Sequence, residues 1–207
     1  YNDDGLPDLY VSNDYKGPDR LYRNNGDGTF TDVARTALPH IPWASMGTDV
    51  ADINNDGRMD FIATDMSGTT HARRMMLDGD LDRDTWFLNI AEPRQYRRNA
   101  VFVSTGTEQL LEVAHLTGLE STDWTWSPKF GDLDNDGWTD LFIANGMSRD
   151  FVDSDLMAQM RDRGNRRWLN MPILRETNLV FRNLSDLRFE NVGKRWGLDH
   201  VSASYGA

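Results

Sequence analysis

Cysteine is absent from all 207 residues, so neither a disulfide nor a thiolate-held metal helps to hold this chain together. The redox compartment is left open by the same absence. No uninterrupted apolar run approaches the roughly 18 to 20 residues that cross a bilayer, and the first residues lack the charged-then-apolar pattern of a signal peptide. The stretch is therefore expected to hold no membrane span, with any targeting segment outside it. Basic charge is scarce too. Only 22 Lys and Arg stand against 33 Asp and Glu, a formal net charge of -11. Nucleic acid and anionic membranes reward the opposite balance, which argues against both as partners. The surplus points toward cations held by oxygen ligands. With 39% hydrophobic and 11% aromatic residues, the chain still has the material for a packed core.

Internal repetition organises what is present. Three segments align: DRLYRNNGDGTFTDVARTA from Asp19, RNAVFVSTGTEQLLEVAHLTGL from Arg98, and TNLVFRNLSDLRFENVGKRWGL from Thr177. Each predicts a strand, a tight polar turn and a second strand ending in Val. The GDG at Gly26 to Gly28 belongs to such a turn. A second element alternates with the first. SMGTDVADINNDGRMDFIATDM from Ser45 and WSPKFGDLDNDGWTDLFIANGM from Trp126 each predict a strand, an acidic loop and a short, fully buried strand. Arg98 and Thr177 lie 79 residues apart, and the acidic loops at Asp52 and Asp132 lie 80 apart, so two independent features share one period. Four short strands per unit predict an all-β, partial β-propeller of about three four-stranded blades. The expected divisions are a partial blade over 1–43, blades over 44–113 and 124–193, and the start of another over 201–207. Both ends cut through the pattern, so the sequence is expected to be a piece of a longer propeller. Long insertions at about 67–98 and 148–176 interrupt the repeat. The second predicts a short helix from Asp153 or Ser154 through Asp162, with Leu156, Met157 and Met160 on one face.

The acidic loops follow DxNxDGxxD at Asp52, Asn54, Asp56, Gly57 and Asp60, and DxDxDGxxD at Asp132, Asp134, Asp136, Gly137 and Asp140. Ca²⁺ takes six to eight hard oxygen ligands at about 2.3 to 2.6 Å, which carboxylates at positions one, three, five and nine supply once the loop curls. The carbonyl at position seven, of Arg58 or Trp138, adds another. Gly at position six allows a turn that a Cβ obstructs. The opening residues superimpose on positions three, five, seven and nine as Asn2, Asp4, Leu6 and Asp8. An EF-hand requires a Glu at position twelve and flanking helices, whereas position twelve here is Ala63 or Ile143 inside an apolar strand. Two carboxylates about 4 Å apart repel by something near 4 kcal/mol at an effective dielectric of 20, so converging aspartates call for a cation. A stretch carrying Asp78, Asp80, Asp82 and Asp84 has Arg83 in place of the glycine and predicts a solvated acidic turn.

In wording and order, FGDLDNDGWTDLFIANG from Phe130 resembles the FG-GAP repeats of integrin α-subunit propellers and of bacterial VCBS proteins. A closer resemblance, carried by SMGTDVADINNDGRMDFIATDM, STDWTWSPKFGDLDNDGWTDLFIANGMSRDF and LYRNNGDGTFTDVA, is to the bacterial relatives of cartilage acidic protein, which often carry an ASPIC/UnbV region. The resemblance implies a secreted, periplasmic or surface-attached protein with Ca²⁺ in the blade hairpins. The implied ligands are those the spacing already names. Asn54 departs from an all-aspartate pattern and leaves its loop one charge weaker than the loop at Asp132.

Two functions of different classes fit these features. The first is an extracellular interaction scaffold binding a protein or carbohydrate, with Trp86, Phe87, Trp168 and the cluster Arg161, Arg163, Arg166 and Arg167 in the insertions as the candidate face. The second is a propeller-type polysaccharide lyase or hydrolase, which needs a general base and a charge stabiliser in one cleft. His40, His71, His115 and His200 are scattered, without HExxH spacing, and no GxSxG elbow occurs. A non-catalytic module is the expectation.

Overall fold

A computed structural model describes residues 1–14, 17–78, 93–150, 153 and 171–207. The chain opens with strands β1 (Leu9–Val11), β2 (Arg20–Asn24) and β3 (Phe30–Asp32), followed by a helical turn, α1 (Ala34–Ala37), and β4 (His40–Pro42). Next come β5 (Thr48–Ala51) and β6 (Asp60–Ala63), then β7 (Met66–Ser67), the two-turn helix α2 (His71–Asp78) and β8 (Arg94–Tyr96). The repeat resumes with β9 (Ala100–Ser104), β10 (Leu110–Glu112) and α3 (Ala114–Thr117). It recurs once more as β11 (Asp123–Gly131), β12 (Asp140–Asn145), β13 (Glu176–Thr177), β14 (Leu179–Asn183), β15 (Phe189–Asn191), α4 (Gly193–Trp196) and β16 (Val201–Ser202).

Three antiparallel sheets result, in the orders β1-β2-β3, β5-β6-β9-β10 and β11-β12-β14-β15, with β7 added beside β11 in the last. Short pairs β4-β8 and β13-β16 link the insertions to the repeats. This is the all-β, partial propeller architecture that the repeat predicts.

The inner strands are buried on both faces, and their period of two divides each between two neighbours. On β6, Phe61 and Ala63 join Leu21 and Ile41 in one core, while Ile62 joins Ile53, Leu141 and Ile143 in the next. β9 divides likewise, with Ala100 and Phe102 on the first side and Val101 and Val103 on the second. The register sets Phe61 opposite Phe102 with ring centroids 4.7 Å apart, and the Tyr10 ring of the first sheet packs against Phe61 at the same distance, tilted by 50°. Gly47 belongs to the close approach of the second and third sheets. A Cβ there meets the Trp126 carbonyl oxygen at 2.4 Å.

The repeats share polar fastenings as well as cores. In each, the valine that ends the fourth strand donates its N–H back to the third strand: Val33 to Leu21, Val113 to Val101 and Val192 to Val180, all at 2.8 Å. The preceding side chain then accepts the first N–H of the helical turn: Asp32 from Ala34, Glu112 from Ala114 and Asn191 from Gly193. These turns occupy the short runs after each Val. At the start of the third strand, Asp19, Asn99 and Asn178 each accept an N–H from the end of the second strand, of Asn13, Asp65 and Asn145. All three acceptors are buried.

Asp78, the first residue of the expected acidic turn, ends α2 instead. The rest of that turn (Asp80, Asp82 and Asp84), the helix expected from Asp153 or Ser154 through Asp162 apart from Asp153 itself, and the aromatic and arginine candidates of both insertions lie outside the described residues. Among the described residues, no helix is long and apolar enough to cross a membrane.

Candidate metal centre

Three hairpin loops, at residues 1–8, 52–60 and 132–140, stand at the same edge of successive sheets. Their backbones repeat. Position four is left-handed in each (Asp3, φ 62°; Asn55, φ 57°; Asn135, φ 58°), and position six is a left-handed glycine (Gly5, 79°; Gly57, 86°; Gly137, 88°). Asn and Asp tolerate the first conformation because their short polar side chains bond locally. Glycine adopts the second without steric cost.

The aspartates wind the loop. Asp52 accepts the N–H groups of Asp56 (3.1 Å) and Gly57 (2.8 Å), and Asp132 does the same for Asp136 (3.1 Å) and Gly137 (3.0 Å). The position-five carboxylate accepts the N–H of position seven in every loop: Asp4 from Leu6, Asp56 from Arg58 and Asp136 from Trp138, each at 2.9 Å. These bonds tighten the curl and hold the position-seven residues in place. They also lower pKa values. The Trp138 N–H, with a smaller contribution from Arg182, holds the Asp136 carboxyl below the usual carboxylate range, and the Leu6 N–H and Asn2 amide do so for Asp4.

Position nine behaves differently. Asp60 and Asp140 are wholly buried, and each fastens its loop to the sheet. Asp60 accepts Ile53 N–H at 3.1 Å and Ser104 N–H at 2.9 Å, while Asp140 accepts Leu133 N–H at 3.0 Å and Asn183 N–H at 2.9 Å. Asp8 repeats the pattern with the backbone nitrogen of Tyr1 (2.7 Å), at the position of Ile53 and Leu133, and Asn24 N–H (2.9 Å). Burial pushes Asp60 up to about 6 against the pull of those two N–H groups, with the charges of Asp56 and Asp52 adding to the rise. Asp140 is raised for the same leading reason. Each carboxylate oxygen has a second lone pair, so both can still face an ion.

The donor set fits a hard cation. Asp132, Asp134 and Asp136 each offer an oxygen within 4.8 Å of the others, the spread of ligands that share one ion of calcium's size. In the second loop, Asn54 stands at position three and its amide donates to Asp56 at 3.2 Å. In the first, Asn2 donates to Asp4 at 3.0 Å, and its buried Oδ1 has no partner among the described residues. Cationic side chains already lie on these carboxylates. Arg182, on β14, places Nε 2.7 Å from Asp134 and Nη2 2.6 Å from Asp136. Arg58 stands 3.4 Å from Asp56 and 3.8 Å from Asp3 of the neighbouring loop.

Sequence reasoning overlooked Arg182 and the fasteners. The period aligns Arg182 with Val103 and Arg23, but nothing in a one-dimensional alignment says that a third-strand side chain reaches across to a first-hairpin loop.

The histidines occupy unrelated places. His40 is buried beside Glu112, with Nε2 2.8 Å from the carboxylate, and Arg98 donates to the same oxygen at 2.8 Å. Burial alone raises the Glu112 carboxyl, but hydrogen bonds from His40, Arg98 and Ala114 N–H outweigh it and hold it at about 2. His71, His115 and His200 are exposed, in α2, in α3 and just before β16.

The family described as FG-GAP-like repeat matches residues 1–63 and 77–143, more than half of the chain. The chain is also similar to cartilage acidic protein 1 of Homo sapiens, 27% identical over 175 residues that cover 68% of this chain and 26% of that protein. The Xenopus tropicalis protein of that name is 32% identical over 85 residues (41% of this chain, 12% of that protein), and the Mus musculus one 32% over 88 residues (42% and 13%). The chain thus spans about a quarter, or less, of the length of these relatives.

Proposed function

This chain belongs to the FG-GAP-like repeat family, and from that premise we propose that it is a calcium-binding β-propeller module that serves as a non-catalytic interaction scaffold outside the cytoplasm. The observation that carries the calcium reading is the threefold recurrence of one loop geometry, with oxygen donors at positions three, five and nine and glycine at six in all three loops, and an aspartate at position one in the loops at Asp52 and Asp132. Asp52, Asn54, Asp56 and Asp60 hold one ion, Asp132, Asp134, Asp136 and Asp140 another, and Asn2, Asp4 and Asp8 contribute to a third. The carbonyls of Arg58, Trp138 and Leu6 complete the respective sets. Hard oxygen donors on a flexible loop suit Ca²⁺, whereas Mg²⁺ demands near-ideal octahedral geometry and gives up its waters reluctantly. Modules with such sites typically work at the millimolar calcium found outside cells, which supports a secreted, surface or periplasmic location.

The scaffold reading follows from the arrangement of connections. The loops joining first to second strands occupy one edge of the sheets. The insertions after β6 and β12 leave from the opposite edge, where a protein or carbohydrate ligand can meet them without disturbing the metal. Thermal unfolding with calcium and with EDTA tests the central claim. Calcium at about 100 times its dissociation constant adds roughly 2.7 kcal/mol per site, a rise of several degrees in the midpoint for a chain of this size. Asp136→Ala is expected to lose part of that rise, and superimposable melting curves in calcium and EDTA would overturn the proposal.

A further inference from the structure

Resting on the calcium reading above, we infer that Arg182 is a built-in cation that the metal must displace, and that it makes the loop at Asp132 to Asp140 the weaker, conditional site despite its greater acidic charge. By ligand charge alone the order is the reverse. That loop has four carboxylates, whereas the loop at Asp52 has three and the amide of Asn54, and affinity in such loops rises with ligand charge.

The geometry of Arg182 changes the comparison. Its guanidinium engages positions three and five at once, with Nε 2.7 Å from Asp134 and Nη2 2.6 Å from Asp136. Those are two of the three side chains whose oxygens lie within 4.8 Å of one another. A guanidinium does not deprotonate, so the ion cannot win these carboxylates by waiting for the arginine to lose its charge. The side chain has to move. The equivalent residue on β9 is Val103, which is buried and apolar, so the loop at Asp52 has no such competitor from its third strand. Arg58 reaches only one carboxylate of that loop, at 3.4 Å, and is shared with Asp3 of the neighbouring one. The equivalent on β2, Arg23, turns to Glu108 instead, at 3.3 Å.

Arg182 also has somewhere to go. Glu190 sits directly across from it in the β14–β15 register, and residues directly opposite present their side chains to the same face. Glu190 now pairs with Arg195 at 3.2 Å on an exposed surface, a contact weak enough to share. The result is a graded response. The loop at Asp52 fills first, and the loop at Asp132 fills at higher calcium, as Arg182 leaves.

Trp138 at position seven makes the test specific, because it sensitises terbium luminescence in the third loop, whereas Arg58 holds that position in the second. Terbium is titrated into the intact protein and then competed off with calcium, for the parent, Arg182→Val and Arg182→Gln, with Trp138→Phe marking the signal. Both arginine variants should bind calcium roughly three- to tenfold more tightly at this loop, the worth of two exposed ion pairs. Both should also melt lower than the parent in EDTA, where the guanidinium no longer offsets the converging aspartates. A parent signal with unchanged or weaker calcium competition in both variants overturns the role of Arg182 and leaves the calcium reading standing. No Trp138-dependent signal in the parent at saturating terbium removes both.

Discussion

At the scale of single residues, four aspartates that look alike along DLDNDGWTD do two different jobs. Asp132, Asp134 and Asp136 are exposed, and their charge is directed toward a shared point. Asp140 is buried, and both of its oxygens are engaged by backbone N–H groups from the loop and from β14. Removing it strands two buried donors, which costs roughly 3 kcal/mol whether or not metal is present. Urea unfolding in EDTA should therefore separate the positions: Asp140→Ala falls by that amount, and Asp136→Ala stays within about 1 kcal/mol of the parent, since it loses only exposed pairs. Equal losses would mean that Asp140 does not fasten the loop to the sheet. The spacing names both residues as ligands, and burial gives Asp140 a fastening role besides, since each of its oxygens keeps a lone pair for an ion.

Among elements, the buried strands were legible because both faces are apolar, so a continuous run such as Phe61-Ile62-Ala63 survives without alternation. Which residue faces which neighbour was not legible, since that depends on the register. Phe102 projects into the core shared with the first sheet, against Phe61 and Tyr10, and Leu110 of β10 joins it while Leu111 points to solvent, 58% exposed. Phe102→Ala is expected to destabilise by about 3 to 5 kcal/mol through the cavity it leaves. Leu111→Ala should change stability by less than about 0.5 kcal/mol. Chemical denaturation of the two variants checks this, and comparable losses would mean the register of β9 and β10 is wrong. The helical turns after Val33, Val113 and Val192 escaped notice because four residues carry too little periodicity to announce a helix. β4 and β8 pair in parallel across more than fifty residues, a contact that local pattern does not encode.

For the molecule as a whole, buried acids set opposing trends with pH. Burial drives Asp65 up to about 6, only partly offset by N–H groups of Ala44, Trp43 and Met66 and by Arg97. The folded chain therefore takes up that proton before the unfolded one does, and stability gained below about pH 4 is lost as pH rises through 6. Asp60 and Asp19 are raised likewise, by burial first. Glu112 runs the other way. Its folded value near 2 lies below the model-peptide carboxylate, so its contribution is present above about pH 4.5 and disappears as pH falls toward 2. In EDTA the melting temperature should pass through a maximum near pH 4, and a steady rise up to pH 7 would contradict these burial effects. The sheets are also latched to one another at the loop edge. Asn183 donates to the Ile53 carbonyl of the preceding loop at 2.8 Å, and Ser104 does so to the Tyr1 carbonyl at 2.9 Å, so a loop deformed in one repeat disturbs the next.

The amino-acid sequence alone determined the repeat, the class of fold and the chemistry of the loops, because period, strand composition and Asx-Gly turn preferences are local properties of the chain. Tertiary structure alone decided which aspartates are buried, which strand faces which core, and that Arg182 stands over Asp134 and Asp136. Those outcomes depend on contacts between residues tens of positions apart, and burial, which makes a fastener of a loop aspartate, exists only once the sheets have packed.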